Sequence, residues 1–261
     1  MKEDYGMCRV STASMRLKAN DRSEMVSQIL FGEKVEVISA FRKNWVKVRC
    51  LLDGYEGWVD RRLISYMDKK KLDKYSVSHA LAVEYAQGIA SDTERHAVCY
   101  GAELPLFDGI SFKTPFGKFL YNGQFIHPEK VEDKRELLTR IAMKYLNTPY
   151  LWGGRSPFGI DCSGFTQVLY KLVGINLPRD ASQQINHGNA VAFVENLKPG
   201  DLVFFENKEG LIHHVGIYLE ANKIIHASGT VHVDKLDHFG IYSEADSKYT
   251  HRLRIGKNLL D

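Results

Sequence analysis

Cysteine is scarce in this 261-residue chain, and the four that occur, Cys8, Cys50, Cys99 and Cys162, lie far apart. No CxxC pair is present, which argues against a thiolate metal knuckle and against a dense disulfide framework. Charge of one sign is also lacking. The 35 basic and 32 acidic residues are mixed along the chain, for a formal net charge of +3, and no long basic run offers a footprint for nucleic acid. Long apolar runs are missing too. The start, Met1-Lys2-Glu3-Asp4-Tyr5-Gly6-Met7-Cys8, has no apolar core of signal-peptide length, and no later segment is long enough for membrane insertion. As written, the chain is expected to be cytoplasmic; a trimmed signal would make it periplasmic or exported. What is present, 44% hydrophobic and 11% aromatic residues, suffices for one to three buried cores.

The first 65 or so residues are rich in turns and short alternating strands. Val35–Ile38, Trp45–Arg49 and Gly54–Val59 are separated by Gly, Asn and Asp, which predicts a small five-stranded barrel. Lys69-Lys70-Lys71-Leu72-Asp73-Lys74 reads as a solvated linker. Weaker strand signals follow at Leu104–Gly109 and Lys118–Gly123. From Val131 the period becomes helical, with Leu137, Leu138, Ile141, Ala142, Tyr145 and Leu146 on one stripe until Thr148-Pro149 ends it. Three units are the economical division.

The stretch Trp152-Gly153-Gly154-Arg155-Ser156-Pro157-Phe158-Gly159-Ile160-Asp161-Cys162-Ser163-Gly164-Phe165 places one cysteine at a loop-to-helix junction. Phe165, Val168, Leu169 and Leu172 recur at helical spacing before Gly174 and Pro178, so Asp161 is the expected N-cap and Cys162 lies in the first turn. The helix dipole and unpaired N–H groups favour a thiolate there, and its pKa is expected to fall. The competing reading is a buried structural thiol.

A base is available further on. Leu211–Leu219 and Lys223–Ser228 form a predicted hairpin around Glu220-Ala221-Asn222, which sets His214 opposite His226 or its immediate neighbour. His214 can then take the Cys162 proton while His226 orients the imidazole. His213 competes, but adjacent strand residues face opposite ways, and His214 shares the parity of His226. The other histidines, His232 and His251 among them, are expected at the surface or behind the site.

These residues carry a resemblance. Tyr150-Leu151-Trp152-Gly153-Gly154, Asp161-Cys162-Ser163-Gly164-Phe165, Leu177-Pro178-Arg179-Asp180, Pro199–Phe205, His214-Val215-Gly216-Ile217-Tyr218 and Ile225-His226-Ala227 run in order over the last 130 residues or so. In that order they are similar to the NlpC/p60-type bacterial cell-wall cysteine peptidases. The resemblance implies an α+β chain: a papain-like NlpC-type catalytic domain at residues 130–261, preceded by two small SH3-like β-barrels at residues 1–67 and 72–128. It implies a Cys162-His214-His226 triad and no metal or organic cofactor.

The three-part order resembles the γ-D-glutamyl-L-diamino acid endopeptidases that act on murein peptides. In that subgroup the first barrel helps to bind the free substrate amine. Ser23–Glu33 and Asp53–Trp58 resemble its motifs, which implies that Glu24 and Tyr55 meet the amine. Asp161 would join them, because a carboxylate beside a thiolate needs a cation or an N-cap role. Arg179 is the expected clamp for the free α-carboxylate of the γ-linked glutamate, with Ser163, and less directly Ser182, as hydroxyl partners. The competing reading for Arg179 is a surface pair with Asp180, which would cap the following helix. The expected partner is thus a murein peptide, L-Ala-γ-D-Glu followed by diaminopimelate or lysine, and the oligomeric state stays open. Three rivals remain: a zinc set of Cys162, His213, His214 and His226, disfavoured because adjacent strand histidines point apart; an amidase or acyltransferase of the same fold; and a non-catalytic peptidoglycan-binding protein.

Overall fold

The computed structural model describes residues 4–41, 44–77 and 79–261. Two compact units result, Met1–Lys130 with Trp152–Pro157, and Val131–Leu151 with Phe158–Asp261. Among the described residues no helix is long and apolar enough to cross a membrane.

In the first unit, Tyr5–Cys8, Thr12–Arg16, Met25–Leu30, Lys34–Phe41, Trp45–Cys50, Glu56–Asp60 and Ile64–Met67 join in one antiparallel sheet of seven strands. This is two strands more than the alternation signals predicted. One of the strands without such a signal, Tyr5–Cys8, is buried over Gly6, Met7 and Cys8 and does not alternate. Further strands form two smaller sheets, one containing Gln87–Ala90 and Gly117–Leu120, the other Glu103–Pro105 and His79–Ala82.

The first two expected units pack as one because they share apolar residues. Phe31 lies among Ala80, Leu104, Phe112 and Phe119, edge-on to both rings at 5.9 Å. The Glu103 N–H donates to the Phe31 carbonyl at 2.9 Å, and Lys34 Nζ meets the Glu103 carboxylate at 2.5 Å in a buried pair.

The expected lysine-rich linker is instead the helix Lys69–Ser76, capped by Asp68, whose side chain accepts from the Lys71 N–H at 2.8 Å. Leu72 and Tyr75 share one face and bury against Met7 and Met67. Two apolar residues three apart among lysines are too sparse to outweigh the charge run in a sequence reading.

Arg155 anchors the segment Trp152–Pro157 within this first unit. Its guanidinium makes two bonds to Glu33, at 2.8 and 2.9 Å, and a third to the Gln28 carbonyl at 2.7 Å. Gly153 has φ +78°, and a Cβ there would lie 2.4 Å from the Met25 carbonyl oxygen. That glycine is accounted for by close backbone packing, not by ligand access.

In the second unit, the helix Cys162–Leu172 is buried along its whole length and packs on strands Ile212–Tyr218 and Lys223–Ser228. Six antiparallel strands, Leu202–Glu206, Ile212–Tyr218, Lys223–Ser228, Thr230–Leu236, Gly240–Ser243 and Lys248–Asn258, follow in sheet order. The last pairs with both Leu202–Glu206 and Gly240–Ser243, which closes the sheet on itself. The helix Lys134–Lys144 buries Leu137, Leu138, Ile141 and Ala142, whereas Leu146 of the predicted stripe is 37% exposed beyond its end.

Candidate active site

Asp161 ends the loop in extended conformation, and its Oδ1 accepts from the Gly164 N–H at 2.7 Å, a capping bond that fixes where the helix begins. Cys162 is the first helical residue and only 7% exposed. The main chain of Val215 and of Ser163 lies close enough to the thiol to favour its ionised form. The helix dipole does not prevail. Burial, followed by the negative charge of Asp161, pushes the thiol up to about 12, against the opposing effects of Val215, Arg179 and Ser163. The expected low-pKa thiol is therefore replaced by a protonated one, since desolvation penalises the thiolate more than first-turn N–H groups help it.

Arg179 also departs from its expected place. It is 2% exposed, and its two terminal nitrogens hold Asp161 at 3.0 and 2.6 Å, with Nη1 also donating to Ser163 Oγ at 2.8 Å. The cation beside Asp161 is thus Arg179, and the guanidinium fork faces a protein carboxylate, the geometry such forks prefer. Gln184, absent from the sequence reading, ties this corner together by donating to the Ser163 carbonyl at 3.0 Å and accepting from Thr166 Oγ1 at 2.7 Å. Ser182 is exposed in the one-turn helix Ala181–Gln184. In the first unit, Glu24 is exposed and accepts from the Trp152 indole N–H at 2.7 Å, and Tyr55 packs half-buried against that unit's core.

The histidines come from the predicted hairpin. Its turn has φ +49° at Ala221 and +57° at Asn222, the left-handed pair that two-residue hairpin loops require. The register pairs Gly216 with His226 and Ile217 with Ile225, so His214 lies diagonal to His226 on the same face, not directly opposite. Gly216 leaves the space between them open, because a Cβ there would come within 3.0 Å of His226 Cβ. His214 Nε2 and His226 Nδ1 are 2.9 Å apart. A bulge at His213, where Phe205 pairs with His214 but Glu206 with Ile212, separates the two adjacent histidines. His213 is exposed, and His214 is 4% exposed.

Three further residues complete the cluster. Asp234 Oδ2 lies 3.3 Å from His226 Nε2 and 3.2 Å from His232 Nε2, and the His251 ring stacks on His214 at 4.1 Å. Cross-strand pairing of Thr230–Leu236 and Lys248–Asn258 supplies them, and no local motif marks them.

The network has a direction. Burial would raise the Asp234 carboxyl, but its bond to His226 and the nearby imidazoles hold it below the usual range, so it is ionised and only accepts. His226 therefore carries its proton on Nε2 and accepts at Nδ1 from His214 Nε2–H, which leaves His214 Nδ1 bare. Burial, then His251 and His226, push His214 well below its ordinary value, and burial lowers His226 as well. The resting site thus favours a neutral thiol and neutral imidazoles, the opposite of the thiolate expected at the helix start.

A buried thiol on a helix start, with the helix packed on a strand whose histidine is hydrogen-bonded to a second histidine, defines a papain-like cysteine hydrolase site. Residues 147–252 match the NlpC/P60 family model, and residues 15–62 match the bacterial dipeptidyl-peptidase Sh3 domain. The γ-D-glutamyl-L-lysine dipeptidyl-peptidase of Bacillus cereus is 32% identical over 83% of this chain and 71% of its own length. That of Bacillus subtilis is 34% identical over 78% and 72%. Dipeptidyl-peptidase 6 of Lysinibacillus sphaericus is 28% identical over 86% and 89%. The crystal structure of an NlpC/P60 family protein from Bacillus cereus superposes with a TM-score of 0.83 at 24% identity, covering 98% of this chain and all of that one, which shows the shared fold. The chain belongs to the NlpC/P60 family of cysteine peptidases, with an SH3-like N-terminal domain.

Proposed function

We propose that this enzyme hydrolyses the bond between γ-D-glutamate and an L-diamino acid in murein peptides that carry a free N-terminal L-alanine. The observation that carries the chemistry is the one-directional chain Asp234, His226, His214, with 2.9 Å between the two imidazoles. The substrate follows from the two relatives named for γ-D-glutamyl-L-lysine dipeptidyl-peptidase activity.

In this mechanism His214 Nδ1 takes the Cys162 proton as the sulfur attacks the γ-carbonyl. Moving the proton during attack avoids a free buried thiolate, which the thiol's value of about 12 makes costly. The Cys162 main-chain N–H at the helix start donates to the developing oxyanion. The imidazolium, steadied through His226 by Asp234, protonates the leaving amine. Water then attacks the thioester with His214 as base, releasing L-Ala-D-Glu. Arg179 holds Asp161 and Ser163 in place at the thiol.

Incubation with L-Ala-γ-D-Glu-L-Lys, its diaminopimelate counterpart and both N-acetylated forms tests the reading. The expected outcome is L-Ala-D-Glu from the free-amine peptides and little from the acetylated ones. Equal turnover of free and acetylated peptides contradicts amine selection, and release of a different fragment points to the amidase or acyltransferase alternative.

A further inference from the structure

We propose that His226, His232 and Asp234 form a three-ligand Zn²⁺ site whose occupancy switches the peptidase off. His226 and His232 are direct partners across neighbouring strands, and Asp234, two residues after His232, returns to the same face. Their ligand atoms are mutually within 4.8 Å. His226 Nε2 and His232 Nε2 lie 3.3 and 3.2 Å from Asp234 Oδ2. Zinc with bonds of about 2.0–2.1 Å in tetrahedral geometry holds its ligand atoms about 3.3 Å apart, so both nitrogen–carboxylate spacings already match a site in which the ion takes the place of the protons between them. The His232 side chain is 37% exposed and Asp234 12%, against 1% for His226. Entry is thus from the His232 side, where a solvent molecule can take the fourth position.

The ion acts on the thiol's base through the hydrogen-bond chain. Zinc takes the Nε2 lone pair of His226, the position that carries the proton in the metal-free chain, so that imidazole's single proton is held on Nδ1 instead and is donated to His214 Nε2. His214 must then carry its own proton on Nδ1, the atom that would have received the Cys162 proton. His214 and His226 each keep one proton, and only the direction of the chain reverses; His232 gives up its Nε2 position to the ion and keeps its proton on Nδ1, which donates to the Thr230 carbonyl at 2.9 Å. The second histidine group whose ligand atoms converge, His214, His226 and His251, fits less well, because His214 and His226 are already hydrogen-bonded to each other at 2.9 Å.

The ion's location does not depend on the proposed substrate, whereas its inhibitory effect rests on the peptidase mechanism. The test therefore reads binding first. Calorimetric titration of Zn²⁺ into Cys162→Ala, which removes the thiol as a competing ligand, should show one equivalent bound. Adding His232→Gln should weaken binding about tenfold or more, and adding His251→Gln should leave it within about threefold. In turnover assays Zn²⁺ should inhibit the wild-type enzyme reversibly, with EDTA restoring it, and each variant's metal-free rate serves as its own reference. His232→Gln should need about tenfold more zinc for the same fractional inhibition. No binding to Cys162→Ala, or undiminished binding in Cys162→Ala/His232→Gln, overturns the site. Loss of binding only with His251→Gln also overturns it, in favour of the other histidine group.

Discussion

Asp234→Asn tests whether a carboxylate two imidazoles away from the thiol sets the protonation of its base. The carboxylate only accepts, and it makes a 3.3 Å bond to buried His226. An asparagine can present its NH₂ group instead, which places the His226 proton on Nδ1 and blocks His214 Nδ1 as an acceptor. A hydrogen bond to a charged group is worth about 1.5–3 kcal/mol. At about 1.4 kcal/mol per tenfold in rate, the expected loss in kcat is roughly 10- to 100-fold. The long bond and the partial exposure of Asp234 favour the lower part of that range, as does the freedom of asparagine to turn its carbonyl toward His226. KM should stay within about twofold, because Asp234 contacts imidazoles and not the proposed substrate. Steady-state kinetics on L-Ala-γ-D-Glu-L-Lys, with circular dichroism as a folding control, give both parameters. A well-folded Asp234→Asn enzyme with wild-type kcat refutes the directed chain, as does a loss confined to KM.

Other expected outcomes follow from separate features. Because Cys162 is pushed up to about 12, its alkylation by iodoacetamide in the substrate-free enzyme should be slow at neutral pH and still rising above pH 10; a plateau reached near pH 6 would mean a resting thiolate. Gly216→Ala sets a Cβ 2.7 Å from Ile224 Cδ1 and 3.0 Å from His226 Cβ; displacing His226 should lower kcat about 10- to 100-fold with the secondary structure intact by circular dichroism. Glu33→Ala strands the buried Arg155 charge, at a cost of about 3–5 kcal/mol, and should lower the melting temperature by roughly 10 °C or more in a thermal scan.

Fold and site are legible in the sequence where local chemistry carries the signal. The Asp161 cap, the helix after Cys162 and the hairpin that places His214 and His226 on one face all rest on periodicity, capping and turn residues. Fold and site are not legible where a feature depends on what another segment brings. The Cys162 thiol was expected to be acidic because dipole and N–H groups are visible in sequence, while desolvation is not. Arg179 was assigned to a ligand carboxylate because nothing in the chain announces that it folds onto Asp161. Asp234 reaches the site on the next hairpin strand, eight residues beyond His226, where no local motif marks it, His251 comes from the far end of the sheet, and Leu72 and Tyr75 were hidden by the lysines around them. Gly153 answers to the Met25 carbonyl packed against it, a contact that no local motif announces.

The central claim is that Cys162 forms the covalent intermediate with a γ-D-glutamyl acyl group. Rapid quenching of L-Ala-γ-D-Glu-L-Lys turnover in acid, followed by intact-protein and peptide mass spectrometry, addresses it directly. The account predicts an adduct equal to L-Ala-D-Glu less one water, mapped to the peptide containing Cys162 and missing from Cys162→Ala, which should not turn over. An adduct on any other residue, or wild-type product release by Cys162→Ala, would contradict it.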